Sequence, residues 1–308
     1  MNVQQLRCIC EVARQDLNVS KAAETLNTSQ PGVSTQIRQL EEELGFAIFV
    51  RQRSRLVAIS SDGALVIERA QRALMEIDDI RQLGRAHRTD ENGTLAIAAS
   101  HTQARFRLPT VLSTFTREYP KVQITIRPES GKAILDAIIT GRADIGVLST
   151  FDSLPVGLVA LPFHTYRRVL LVPIGHALLD VGRPTLEDIA RYPIVVFEPS
   201  NSRTTLLREL DRLQLRSPTL LQGTNADVVK AYVEHGLGVT VLPDIAFDPQ
   251  RDFGLRAINV DHLFPESTTY LVLNNKHYLR PYTYAFITML APQLRRDIVQ
   301  KACTPSNV

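Results

Sequence analysis

The chain predicts an α/β protein in three parts: a mainly α amino-terminal unit, a long helix, and a larger carboxyl-terminal unit where strand and helix alternate. Three observations carry this. Up to Leu44, apolar residues recur at three- and four-residue steps, the period of helices with one buried face. Val66, Ala70, Ala73, Ile77 and Ile80 follow a four-three-four-three spacing in one long helix. From Thr94, short β-rich runs alternate with helical stretches. The 308 residues exceed one small domain and suggest two or three compact units.

Val3 to Arg14 reads as the first helix, with Leu6, Ile9, Cys10 and Ala13 on one face. Asn18 to Leu26 reads as a short second helix capped by Asn18, its small Ala22 and Ala23 permitting a close crossing. After Asn27 and Thr28 comes the stretch on which the chain is organised, Ser29 to Leu44. Ser29 is placed to cap, because its hydroxyl can accept from the unpaired N–H groups of the first turn. Pro31 is tolerated there, where an N–H has no intrahelical partner to lose. Val33, Ile37, Leu40 and Leu44 make the buried face. Gln30, Ser34, Thr35, Gln36 and Arg38 make a donor-rich face with no carboxylate before Glu41. Gln and Arg read base edges and Ser or Thr holds phosphate, so this face suits a major groove. A short helix, tight turn and longer polar-faced helix form a helix-turn-helix, although an ordinary helical hairpin has the same spacing.

Phe46 to Val50 and Arg51 to Ala58 read as a two-strand wing. Its Arg51, Arg53 and Arg55 suit phosphate or minor-groove contact; a basic surface turn is the bland alternative. Ser60 to Gly63 opens the long helix, which runs roughly to Arg88. Its spaced apolar stripe reads as a coiled-coil seam between two subunits rather than a face lying on its own domain. His87 to Gly93 is polar and reads as a hinge.

Beyond it, Thr94–Ala99, Val122–Ile126 and Ala143–Leu148 read as strands separated by helices at Arg107–Tyr119 and Ala133–Ile139. Arg168–Pro173, Ile194–Phe197 and Val239–Leu242 read as strands of a second such unit, with helices at Ser202–Leu213 and Ala226–His235. Thr268–Leu273 is a strand and Tyr282–Leu294 a helix. The alternation predicts largely parallel sheets with helices on both faces. Ligands of such sheets bind beyond the carboxyl ends of strands, near helix amino termini. Three strand ends are hydroxyl-rich: Ser100-His101-Thr102-Gln103, Ser149-Thr150, and Ser200-Asn201-Ser202-Arg203-Thr204. Thr224-Asn225 precedes a further helix. Hydroxyls, an amide and free backbone N–H groups suit an oxyanion such as sulfate or a carboxylate. Each of these residues can equally serve as a helix cap.

Ala22-Ala23-Glu24-x-Leu26, then Ser29-Gln30-Pro31-x-Val33-Ser34-x-Gln36-Ile37-x-x-Leu40-Glu41-x-x-Leu44-Gly45, then Ile48-Phe49-x-Arg51 resembles the amino-terminal signature of LysR-type transcriptional regulators. The similarity covers nearly the whole chain. It implies a DNA-facing set of Ser29, Gln30, Pro31, Ser34, Thr35 and Arg38, joined by Arg51 and Arg53 of the wing. Thr35 departs from the Arg or Lys common in the family, so one contact is missing or is supplied by Arg38. The resemblance also implies a long helix that pairs two subunits, and an effector domain like a periplasmic binding protein, with two α/β lobes and a late segment returning to the first. His101-Thr102-Gln103-Ala104-Arg105 and Asn225-Ala226-Asp227-Val228-Val229-Lys230-x-Tyr232-Val233-x-x-Gly236-Leu237-Gly238-Val239 look like the CysB-like subgroup, which regulates sulfur assimilation. That subgroup implies sulfate or a small sulfur compound held at Ser100, Thr102, Gln103, Ser149 and Ser202; Thr204 and Thr224 complete the expected effector set. Ser replaces the usual Thr at three of the first five positions, which keeps the hydroxyl and removes a methyl.

The expected boundaries are 1–59 for the winged helix-turn-helix, 60–92 for the linker helix and hinge, and 93–308 for the effector domain. Its lobes are expected at 93–162 plus 268–308 and at 163–267. A net charge of +3 and 44% hydrophobic residues suit a soluble protein whose basic residues cluster locally. No apolar run reaches membrane-span length and no signal-peptide pattern opens the chain. The three cysteines, Cys8, Cys10 and Cys303, argue against a disulfide framework and for a reducing cytoplasm. Cys8 and Cys10 point apart on a helix, so packing rather than a shared metal is expected. Paired acids, a Cys/His nucleophile set and a phosphate-cradling glycine loop are missing at usable spacing, so no enzyme, metal or cofactor is expected. The expected partners are double-stranded DNA, a small anionic effector, a second copy of the chain in a homodimer or homotetramer, and RNA polymerase. The rival readings are a LysR-type regulator sensing an organic acid, a hydrolase using Ser100 and His101, and a stand-alone solute-binding protein.

Overall fold

The computed structural model describes residues 1–53, 55–86, 93–149, 151, 153–197, 205–217, 220–223 and 225–304. They divide into two compact units, Met1–Asp90 and Glu91–Val308.

The first unit is built on α1 (Val3–Arg14), α2 (Val19–Thr25) and α3 (Gln30–Leu44), then a hairpin of β1 (Phe49–Gln52) and β2 (Arg55–Ile59), then α4 (Ser61–Ala86). Each helix start carries a side-chain cap. Asn2 and Gln5 form a reciprocal capping box, Asn18 accepts from the Lys21 N–H, and Ser29 from the Gly32 N–H. Asn27 takes a left-handed φ of 49° between α2 and α3, a conformation asparagine tolerates better than most residues. Leu6, Ile9, Val12, Ala22, Ala23, Val33, Ile37 and Leu40 close one core, which Cys8 also enters.

The linker helix α4 packs its first turns on its own domain. Ile67 and Ala70 are buried in that same core, with Val66, Ala73 and Leu74 packed against it. Val66, Ala70 and Ala73 therefore lie against the core of their own domain, Ala70 buried and Val66 and Ala73 half-buried. α1 runs beside α4 and covers its first turns. Farther along, Ile77 is half-buried and Ile80 is 67% exposed.

In the second unit, β3 (Gly93–Ala99), β4 (Val122–Pro128), β5 (Ile145–Leu148), β6 (Leu158–Tyr166) and β12 (Ser267–Asn274) form one sheet in the order β4-β3-β5-β12-β6. A π-turn at Gln103–Arg107 leads into α5 (Leu108–Glu118), which packs on one face with α10 (Pro281–Leu290) and α11 (Arg296–Cys303); α6 (Gly131–Ile139) covers the other. The other lobe has β7 (Arg168–Pro173) between β10 (Thr240–Pro243) and β11 (Leu255–Asn259), and a parallel pair β8 (Ile194–Phe197) and β9 (Leu220–Gly223). A bridge from Ile194 to Val239 joins the two sets. Helices α7 (Leu186–Ala190) and α8 (Thr205–Arg212) pack on one side and α9 (Ala226–Glu234) on the other.

These sheets are mixed, not largely parallel. β3 pairs in parallel with β4 and β5, whereas β12 runs antiparallel to β5 and β6, and β7 antiparallel to β10 and β11. No helix separates β6 from β7, so no parallel crossover is possible there. The lobe boundary shifts accordingly. β6 belongs wholly to the first sheet, so the chain crosses at Arg167 instead of 162/163. Arg167 is held there by Asp261 at 3.2 Å and Glu266 at 2.9 Å. Gly93, the expected end of the hinge, is where a side chain would collide with Arg280 and the Tyr282 hydroxyl. The rest of the expected hinge, residues 87–92, lies outside the described residues.

Candidate functional site

The first candidate surface is α3 with the wing. Burying Val33, Ile37 and Leu40 turns Gln30, Pro31, Thr35 and Arg38 to solvent, with Ser29 exposed at the cap and Ser34 half-buried. The Gln30 amide donates to Ser34 Oγ at 3.3 Å, a contact weak enough to exchange for a base or phosphate. Gln36 departs from the polar face: it is half-buried, and its side-chain carbonyl is buried without a hydrogen bond among the described residues.

Glu41 is the residue that sequence reasoning missed. It is 8% exposed, and one carboxylate oxygen accepts from the Ile48 and Phe49 N–H groups at 2.8 and 3.1 Å. The other pairs with Arg51 Nη1 at 2.7 Å. The carboxylate thus ties the end of α3 to the root of the wing. The signal was present, since Glu41 follows Ile37 by four residues and falls on the apolar stripe. Arg51, expected to hold DNA, has a guanidinium N–H committed to this internal pair. Arg53 is exposed at the tip of the wing with a left-handed φ of 45°, a backbone conformation uncommon outside glycine and asparagine.

The second candidate surface lies at the carboxyl ends of β3 and β5. Ser100 is anchored by its N–H to the Val147 carbonyl at 2.9 Å. Thr102 and Gln103 open the π-turn and are 7% and 2% exposed. Gln103 Nε2 donates to Thr269 Oγ1 at 3.3 Å, and Ser149 Oγ lies 3.2 Å from the same hydroxyl. Gln103 and Ser149, 46 residues apart in the chain, thus meet on Thr269 of β12. Sequence reading missed this threonine because it lies outside every strand-end motif. Its neighbour across β6 is His164. Burial first, then the Arg107 charge, holds that imidazole below its ordinary pKa, against an opposing pull from Asp244.

A cavity of about 490 Å³ is lined from the first lobe by His101, Thr102 and Arg105 and from the second by Asn225, Asp227 and Val228; of the expected effector residues that are described, Thr102 lines it, whereas Ser100, Gln103 and Ser149 do not. Asn225 caps α9 by accepting from the Val228 N–H at 2.9 Å. Arg105 Nε bonds Asp227 at 2.9 Å, joining the lobes. Phe106 reaches over to pack on the second-lobe core, with Lys230 Nζ 5.1 Å from its ring centre. Ser202, Thr204 and Thr224, with Thr150, Ser200, Asn201 and Arg203, lie outside the described residues. Among the described residues, no group of three or more His, Cys, Asp or Glu could hold a metal, and no helix is long and apolar enough to cross a membrane.

Comparison with known proteins bears on both surfaces. Residues 3–64 match the family described as bacterial regulatory helix-turn-helix protein, lysR family, and residues 88–295 match the LysR substrate binding domain. The chain is 37% identical over 303 residues to the HTH-type transcriptional regulator CysB of Burkholderia cenocepacia, covering 98% of this chain and 97% of that one. It is 38% identical over 296 residues to the HTH-type transcriptional regulator SsuR of the same organism, with 96% of each covered. The crystal structure of the cofactor-binding domain of the Cbl transcriptional regulator superposes with a TM-score of 0.64 at 30% identity, covering 70% of this chain and 96% of that one.

Proposed function

Because the chain belongs to the LysR family of bacterial helix-turn-helix transcriptional regulators, we propose that it controls genes of sulfur assimilation, including sulfonate or sulfate-ester use, in response to a small sulfur-containing oxyanion. It is a regulator and not an enzyme. It acts on duplex DNA in the cytoplasm as a homodimer or homotetramer, in contact with RNA polymerase. Gln30, Ser34, Thr35 and Arg38 meet the major groove, Ser29 and Pro31 set the approach of the helix to the backbone, and Arg53 holds phosphate or minor groove. Arg51 contributes mainly by fixing the wing on Glu41. The effector binds between the lobes at Ser100, Thr102, Gln103 and Ser149, completed by Ser202, Thr204 and Thr224.

The observation that carries the effector reading is the pairing of two neutral groups at strand ends, buried Gln103 and half-buried Ser149, through Thr269, next in the chain to Thr102, which lines an interlobe cavity. Neutral donors hold an oxyanion without the desolvation cost of a buried cation. Calorimetry with sulfate, thiosulfate and adenosine phosphosulfate tests it: one of the three binds the wild-type chain, and Thr102→Ala weakens that binding by about 1–3 kcal/mol, the worth of a hydrogen bond to a charged group. Binding of an organic acid alone would move the regulator to another pathway. Binding of an uncharged ligand alone would refute the anion cleft.

A further inference from the structure

We propose that Thr269 is a specificity-determining positioning residue of the effector site, setting which end of the Gln103 amide meets the ligand. The inference rests on the oxyanion reading above. Thr269 is completely buried. It sits beside an irregularity in the β12–β6 pairing, which breaks register between Thr269 and Tyr270. Such bulges re-aim side chains next to functional sites. On its other side, β12 pairs Tyr270 with Leu148 of β5, so one further step of the antiparallel register sets Thr269 beside Ser149. A valine has nearly the same size and shape, and burying a hydroxyl costs free energy unless it is bonded. The hydroxyl is bonded twice, to Gln103 and to Ser149.

The Gln103 amide is satisfied at one end only. Nε2 reaches Thr269, while Oε1 is buried without a hydrogen-bond partner among the described residues. An amide and its turned-over form differ only in which end donates. A threonine hydroxyl serves either, accepting from Nε2 or donating to Oε1. With Nε2 on Thr269, the open end of Gln103 is an acceptor and suits a ligand carrying N–H or O–H. With Oε1 on Thr269, the open end is an N–H donor and suits an oxyanion, and Ser149 donates to the Thr269 oxygen in turn. Thr269 holds the amide through both states. An oxyanion selects the second, because only there does the buried amide have both ends paired. Thr269 itself contacts no ligand and acts through Gln103 and Ser149.

The test is calorimetry of sulfate and thiosulfate on the full chain, comparing wild type with Thr269→Val, Thr269→Ala, Thr269→Ser and Gln103→Ala, and with Gln103→Ala/Thr269→Val. The expected result is a tenfold or greater loss of affinity in Thr269→Val and Thr269→Ala, and recovery to within threefold in Thr269→Ser. In the Gln103→Ala background, Thr269→Val should cost less than half as much on the logarithmic scale. Thermal unfolding without anion verifies the fold of each variant, and Thr269→Ala carries the comparison should the valine variant fail to fold. Wild-type affinity in the hydroxyl-less variants overturns the inference, as does a serine variant as weak as the valine one, or a full Thr269→Val penalty when Gln103 is already alanine. Failure of wild type to bind either anion overturns the oxyanion reading and this inference with it, so the two failures are told apart by the wild-type titration.

Discussion

Replacing Glu41 by alanine should destabilise the amino-terminal unit more than any change on its exposed face. The carboxylate accepts from two backbone N–H groups, of Ile48 and Phe49, and those residues are 0% and 1% exposed. Water is therefore poorly placed to replace it. A buried donor left unmatched costs about 1–3 kcal/mol, so two cost roughly 2–6 kcal/mol, and partial relaxation of the wing root brings the expected loss to about 3 kcal/mol. The Arg51 pair adds little, because the arginine side chain is 39% exposed and an ion pair open to water is worth about 0–1 kcal/mol. Glu41→Gln keeps a carbonyl acceptor for the same N–H groups and should lose only about 1 kcal/mol. Urea unfolding followed by far-ultraviolet circular dichroism reads both variants, and DNA affinity should fall in the same order, since β1 begins at Phe49. A Glu41→Ala loss below about 0.5 kcal/mol would refute the reasoning. So would a glutamine variant as unstable as the alanine one, because the charge and not the acceptor would then be holding the wing.

The other predictions concern DNA, charge and pH. Arg53→Ala should weaken binding to all sequences and lower the slope of log affinity against log salt by about 0.9, one phosphate contact; an unchanged slope removes Arg53 from the interface. Arg105→Ala should cost less than about 1 kcal/mol of stability, because both side chains of the Arg105–Asp227 pair are about half exposed. Asp252→Ala should cost about 3 kcal/mol, the low end for breaking a buried pair, since it takes the nearer carboxylate from Lys230 in a pair whose side chains are only 11% and 12% exposed and leaves only Asp227 at 3.6 Å; equal costs in urea titrations would show that burial does not separate the two. At Glu11, burial raises the pKa, but hydrogen bonds from Arg14 and Gln15 outweigh it and leave a net lowering. The unfolded state then binds more protons in the window between the two pKa values, so this contribution to stability is present above the unfolded value and lost as the pH falls through the folded one. Glu11→Gln should flatten the acid limb of the stability curve, and an unchanged limb would be a failure. Burial first, then the Glu11 charge, pushes the Cys10 thiol up to about 12, so it should resist iodoacetamide at pH 8 until the chain unfolds; alkylation at the rate of a free thiol would contradict this.

What was legible in the sequence follows the range of the interactions involved. Helices α1 and α3 were readable because cap, proline and apolar period all act within a few residues of one another. The parallel β3–β4 pair was readable because α5, the helix between them, has its own local signature. Strands β6, β9 and β11 were not foreseen. β6 carries Pro162 and a pairing irregularity, β9 has four residues, and β11 follows a loop with no helical crossover to announce it. The stripe on α4 was legible only in part. A heptad-like stripe says that a face is buried but not what buries it, and here α1 of the same chain covers Val66, Ala70 and Ala73. Likewise Ser100, Thr102, Gln103 and Ser149 could be picked out as hydroxyls and an amide after strands. Thr269 could not, because its role comes only from the register that sets β12 against β5 and β6.

The π-turn explains how one short segment takes part in both the cleft and the contact between lobes. Leu108 N–H bonds the Gln103 carbonyl, a step of five residues where an α-helix would use four. The additional residue lets Thr102 and Gln103 stay at the end of β3 while Arg105 and Phe106 reach the second lobe, at Asp227 and the core under α9. Were the turn to tighten to α, every position from Gln103 to Arg107 would slip by one against α5, and the two sets of contacts would no longer be made together. A ligand shifts a two-state equilibrium only by its difference in affinity for the two states. A group bound at Gln103 supplies such a difference if it favours one winding of this turn, since the same winding sets Arg105 and Phe106 against the other lobe. Gln103 and Arg105 are two residues apart, so the backbone between them joins the Gln103–Thr269 bond to the interlobe pair of Arg105 and Asp227.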